Sequence, residues 1–251
     1  MGTIRDALWL WGTKVNTLSP YYGFPESRMT IGGGLRSFGI DQAMMCGLLP
    51  PTEDEHRPVA GCRRLLWEMS FDEGFAFERP LAPIIDLHRA HPNVEGVLLD
   101  DFTTTEINRG ARPEVLARMR AAMPATMKLW IVAYSMSLRI PDLADYFAHA
   151  DGISFWVWNA RELPGMAEYV ARCSELSGGK PTVLGAYMYD FGEQKPLAAA
   201  QMEAQVETGI ELVRGGACEG MCFLASSIMD IGLEAVGWTR GWIARCGDEP
   251  I

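Results

Sequence analysis

Apolar residues recur along this chain in eight short runs, each closing on polar or aromatic residues and followed by a stretch of helical periodicity. Near-continuous apolar runs of this length suit strands covered on both faces, as in a parallel sheet. The runs are Ala7 to Thr13, Gln42 to Leu49, Arg64 to Phe71, Gly96 to Phe102, Lys128 to Tyr134, Gly152 to Trp158, Thr182 to Tyr189 and Gly220 to Ser226. Between them the spacing predicts helices: Met29 to Phe38, a stretch with Leu81, Ile84, Ile85 and Leu87 on one face, Pro113 to Met123, and a short one from Pro141 to His149. Three more carry Met166, Tyr169, Val170 and Cys173, span Leu197 to Val213, and span Leu233 to Ala244. Pro113 suits a first turn, and Gly178-Gly179 and Gly215-Gly216 are stop signals. The second run leads into a long polar loop, Pro50 to Pro58, which reads as a rim or lid element.

Eight strands alternating with helices predict an α/β fold, a single-domain (β/α)8 TIM barrel over residues 1–251. The length of 251 residues and the 48% of hydrophobic residues fit one such barrel with a full core. The net charge of −10 argues against a nucleic-acid partner. No run is long enough for a membrane span. Six cysteines without a C-x-x-C pair read as buried free thiols, and with no signal-like N-terminus they point to a cytoplasmic protein.

In this fold the chemistry sits at the C-terminal ends of the strands. There the fourth run delivers Asp100 and Asp101, the leading catalytic candidates. Neighbouring strand residues point to opposite faces, so a regular strand would turn only one of them to the site. A break at the strand end would let both reach it, and repulsion would then raise the pKa of one. Asp101, nearer the strand end, is favoured as the acting group. Glu68, Asp190 and Glu162 compete for a second carboxyl role. Trp11, Trp67, Tyr134, Trp156, Trp158, Tyr187 and Tyr189 supply aromatic surface, and Asn159 is either a polar contact or the cap of the next helix. Carboxylates with large aromatics suit sugars, whose ring faces stack on Trp and Tyr and whose glycosidic bonds are cleaved by carboxyl pairs.

Rival chemistries leave weaker traces. Glu68, one strand-four aspartate and Asp190 could hold Mg²⁺ or Mn²⁺ in an isomerase, epimerase or aldolase. Yet no histidine falls at a strand end: His56, His88, His91 and His149 read as structural or solvated. No strand lysine suits a Schiff base, and no Gly-rich turn follows strands seven or eight for a phosphate. A barrel that binds carbohydrate without turnover also stands. The expectation is therefore an oligosaccharide or glycoside substrate with no cofactor and no metal, and neither a nucleic-acid nor a membrane partner.

The segment Gly96-Val97-Leu98-Leu99-Asp100-Asp101-Phe102 resembles the strand-four acid segment of barrel glycoside hydrolases. Gly185-Ala186-Tyr187-Met188-Tyr189-Asp190-Phe191-Gly192 resembles a strand-seven segment of the same broad group. The resemblance implies glycosidase activity. The Asn-Glu motif of the large retaining clan is absent, since Asp100-Asp101 stands in its place, and strand seven ends in Asp190 rather than Glu. What remains is an aspartate-based mechanism, inverting or substrate-assisted.

Overall fold

The computed structural model describes residues 2–251. Eight parallel strands close into a barrel: β1 Leu8–Thr13, β2 Gln42–Cys46, β3 Arg64–Glu68, β4 Val94–Leu99, β5 Lys128–Tyr134, β6 Gly152–Trp156, β7 Thr182–Tyr187 and β8 Gly220–Leu224. Each strand pairs with the next, and β8 returns to β1. The helices that follow them in turn are α1 Ile31–Phe38, α2 Glu53–His56, α3 Glu78–Ala90, α4 Pro113–Ala122, α5 Leu143–Phe147, α6 Met166–Ser177, α7 Ala199–Arg214 and α8 Glu234–Cys246. The expected fold is the observed one.

Six strands stop two or three residues before their apolar runs do. Met69, Phe102 and Val157 lie beyond the ladder yet are buried beneath loops. Apolarity reports burial, and burial continues where strand pairing ends. The Pro50–Pro58 segment is not an open lid. Thr52 caps α2 by accepting from the Glu55 backbone N–H at 3.3 Å, and His56 and Val59 are buried against the barrel.

Period-two alternation divides the strands. On β1, Leu10 faces α1, where it lies against Gly34, whereas Trp9 and Trp11 face inward. The interior pairs very large residues with very small ones. A Cβ on Gly185 would lie 1.9 Å from the Trp156 ring, and one on Gly152 would lie 2.6 Å from that of Trp130. Glycine at these two positions, each on the strand next to its Trp, makes room for an indole to lie over the neighbouring strand.

The floor, at the N-terminal strand ends, is polar. Arg64 donates from Nε to both Glu95 carboxylate oxygens (2.8 and 2.9 Å) and from Nη1 to Glu219 (3.2 Å), and its guanidinium lies 4.7 Å from the Trp9 ring centre. These contacts join β3, β4, β8 and β1. A wide concavity of about 1060 Å³ opens beside them. At this end of such a barrel residues serve stability rather than chemistry.

Gly185→Ala forces a methyl into the Trp156 indole. We expect a loss of about 1–3 kcal/mol, read as a lower urea midpoint with unchanged slope. An unchanged midpoint would show that Trp156 does not press on Gly185.

Candidate active site

β4 ends at Leu99, and Asp100 and Asp101 form the turn beyond it. Asp101 adopts the left-handed conformation (φ 50°, ψ 15°), which Asp tolerates better than most side chains. A π-helical turn, Phe102–Glu106, follows directly, a form that recurs at functional sites. The backbone N–H groups of Thr104 and Thr105 donate to the Asp101 carbonyl at 3.1 and 2.7 Å and hold the turn. Thr103 fixes it sideways, its hydroxyl 3.2 Å from the Val132 carbonyl of β5.

The turn cancels the alternation that would have parted the two acids. Both line one cavity of about 150 Å³ at the mouth of the barrel, and they are its only carboxylates. That volume lies below the ~300–1000 Å³ of pockets for drug-sized ligands, so the cavity suits a single ring. Trp11, Trp156, Trp158, Tyr134 and Tyr187 wall it. The walls brace one another: Trp11 meets Trp156 edge-on at 5.2 Å, Trp156 meets Tyr187 at 4.9 Å, and Trp158 meets Tyr134 and Tyr187 each at 5.8 Å.

The acids differ in surroundings. Asp101 is exposed at the rim, and the Tyr134 hydroxyl donates to its Oδ1 at 2.5 Å. Burial holds Tyr134 well above its ordinary pKa, with the charges of Asp100 and Asp101 adding to this, so it remains a donor. Asp100 lies deeper and accepts from the Asp101 backbone N–H at 2.9 Å. Burial, then the charges of Asp101 and Glu68, push its carboxyl well above the ordinary aspartate range. Glu68 is also raised by burial, opposed by hydrogen bonds from Gly47 and Ser70; the Gly47 N–H donates to its Oε2 at 2.5 Å. It acts on Asp100 from beneath and does not line the cavity.

Other sequence candidates lie elsewhere. Asp190 borders a separate gap of about 10 Å³ behind Trp158 and accepts from the Glu193 N–H at 3.1 Å. Glu162 accepts from the Ser135 hydroxyl at 2.9 Å and lies 3.5 Å from the Asn159 amide, off the cavity; Asn159 makes no capping hydrogen bond. Trp67 is buried and donates from Nε1 to the Leu48 carbonyl at 3.0 Å. Tyr189 packs on Phe24 at 4.7 Å rather than on the cavity. Conversely Leu18, Tyr22, Phe191 and Leu224 line the cavity and were not singled out from the sequence. Tyr22 ends a short helical turn, Ser19–Tyr22, between β1 and α1, and only the fold brings it to Phe191, 4.9 Å away.

Among the described residues, one trio of His, Cys, Asp or Glu side chains brings its ligand atoms within 4.8 Å of one another: Glu53, His56 and His91. The divalent-ion set considered from the sequence, Glu68 with a strand-four aspartate and Asp190, does not converge in this way, because Asp190 is turned into its own gap.

No protein-family profile and no curated protein sequence matches the chain. Solved structures do. A family 17 β-1,3-glucanosyltransferase from Rhizomucor miehei is 11% identical, with 89% of this chain and 88% of that one covered at a TM-score of 0.59. The spore cortex-lytic enzyme SleL of Bacillus cereus is 10% identical over 94% and 73%, at 0.57. A family 18 chitinase from Cycas revoluta, complexed with allosamidin, is 10% identical over 94% and 99%, at 0.53. Barrels of other chemistry, an aldolase among them, match as well. At such identities the likeness establishes the fold alone, the (β/α)8 barrel.

Asp100 sets a pH test. A carboxyl whose pKa is raised on folding stabilises the protein fully below the ordinary aspartate range, and that contribution is lost as pH rises through the folded value. In that window wild type loses up to about 1.4 kcal/mol per pH unit through this group. Asp100→Asn has no such loss, so its Tm advantage over wild type is expected to widen from about pH 4 upward. A gap that stays flat from pH 4 to 8 would show that Asp100 ionises as readily folded as unfolded.

Proposed function

We propose that the protein is a glycoside hydrolase in which Asp100 is the general acid and Asp101 the anion beside it. One observation carries this reading: the two acids alone share a ring-sized, aromatic-walled cavity at the catalytic end of the barrel. Two carboxyls with contrasting surroundings divide the work, the enclosed one keeping its proton and the hydrogen-bonded, solvated one its charge. Asp100 is the enclosed member, and Asp101 receives the Tyr134 hydroxyl and solvent.

The placement also bears on mechanism. An enzyme nucleophile or a water-activating base must approach the sugar from the side opposite the acid, about 5–9.5 Å from it. The cavity wall away from Asp100 and Asp101 is aromatic. This supports a substrate-assisted route, with the nucleophile on the sugar itself, as in a 2-acetamido glycoside. The acetamido oxygen attacks C1 while Asp100 gives its proton to the departing glycosidic oxygen. Asp101 accepts from the acetamido N–H and stabilises the positive charge that forms there. Water then opens the cyclic intermediate at C1, and its proton returns to Asp100. The likeness in fold to a chitinase accords with this reading.

The test is hydrolysis of aryl 2-acetamido glycosides beside plain aryl glycosides. Wild type is expected to cleave the former. Asp100→Asn should lower kcat by about 10²–10⁴-fold on a poor leaving group and far less on 2,4-dinitrophenyl, which departs without protonation. Asp101→Asn should lower both alike. Cleavage of plain glycosides only would refute the substrate-assisted route, and absence of turnover on every glycoside would refute the hydrolase and leave a binding barrel.

A further inference from the structure

On the outer wall, away from the mouth, α2 and the turn between α3 and β4 bring together side chains of metal-binding chemistry. We propose that Glu53, His56 and His91 bind one divalent transition-metal ion of the zinc class. Their ligand atoms lie within 4.8 Å of one another. Glu53 and His56 stand three residues apart on a single helical turn, so both side chains leave the same face. Glu-x-x-His at this spacing is how helices present ligands in carboxylate-bridged metal sites. His91, the C-cap of α3, meets them from across the groove, its Nε2 3.0 and 2.9 Å from the two carboxylate oxygens of Glu53.

The hydrogen bonds around His56 fix which nitrogen is free. The Asn93 amide nitrogen donates to the Cys62 carbonyl at 2.9 Å, so its carbonyl oxygen must be the atom facing His56. That oxygen lies 3.3 Å from His56 Nε2, which therefore carries the hydrogen. Nδ1 is left with its lone pair. An imidazole whose far N–H is anchored to a carbonyl is the usual support of a metal-bound histidine. The rings of His56 and His91 stack at 3.8 Å, which holds the second imidazole in place. A metal ion would take the position of the proton that His91 Nε2 shares with Glu53, with a ring nitrogen of His56 completing the set.

Two imidazoles and a carboxylate suit zinc and its first-row neighbours rather than Mg²⁺ or Ca²⁺, which prefer oxygen alone. Three protein ligands leave a fourth position, open to solvent because Glu53 is exposed. The ion would clamp α2, only four residues long, to the α3–β4 turn. The sequence assigned these histidines structural or solvated roles, being far apart in the chain and off every strand end.

The test uses the full chain stripped with chelator, then titrated with Zn²⁺ by calorimetry and with Co²⁺ by visible absorption. The expected result is one ion per chain, Co²⁺ bands of low-coordinate geometry, and a Tm raised by about 5–10 °C at a hundredfold excess over Kd. His91→Phe keeps a ring against His56 and removes the ligand nitrogen; Glu53→Gln keeps a hydrogen-bond acceptor for His91 at an exposed site. Each should weaken binding at least tenfold while shifting the metal-free Tm little. Absence of saturable uptake by wild type would overturn the site. So would uptake undiminished in both variants, which would place the ion on cysteines or elsewhere.

Discussion

Two neighbouring carboxylates enclosed by aromatic walls cannot both be charged without water to solvate them. The structure of the mouth follows from that constraint. Burial beneath the rim and the charges of Asp101 and Glu68 push the Asp100 carboxyl well above the ordinary aspartate range. Asp101 leaves the strand. Its left-handed backbone lifts the side chain to the rim, where it is exposed and takes the Tyr134 hydroxyl. A non-glycine residue in that conformation costs about 1–2 kcal/mol, and the Thr104 and Thr105 hydrogen bonds to its carbonyl are positioned to offset it. The strain and the contrast in surroundings between the two acids are one local event.

The aromatic walls serve the core and the site together. Trp156 lies over Gly185, donates from Nε1 to Ser154 at 2.8 Å, and stands edge-on to Trp11. A side chain so enclosed has one available position, and a site built from such side chains needs little reorganisation when a ring enters. Gln205 of α7 extends this order to β7, exchanging two hydrogen bonds with the Tyr187 backbone, at 3.2 and 3.1 Å. At the floor, Arg64 gathers two carboxylates and an indole, an ion-pair cluster at the end where no chemistry competes with it.

A shared barrel does not name a reaction. Glycosidases and an aldolase match this chain at similar identity, so the fold leaves chemistry open. What distinguishes one barrel from another is how many carboxylates reach the mouth and from which strand ends. Here two arrive, both from β4, and the facing strands contribute rings. The count and the side from which they come constrain the reaction more closely than any overall likeness.

The sequence made the eight strands legible because a strand buried on both faces must be apolar at every position. Asp100 and Asp101 stood out for the complementary reason, as charge at the end of such a run. The same cue says less about where other residues lie. Asp190 also ends an apolar run, but that run outlasts its strand by two residues, and the acid falls behind Trp158 instead of in front of it. Tyr22 ends a one-turn helix and Phe191 lies in a turn, segments too short for periodicity to encode their direction. His56 and His91 meet only because α2 packs beside the α3–β4 turn. Period two also decides the fate of the acids themselves: had β4 continued regularly, one of the pair would face the helices and the cavity would hold a single carboxyl. Failure of the rule at Asp101 is therefore what makes a two-acid site possible, and such a failure is written in backbone angles rather than in residue types.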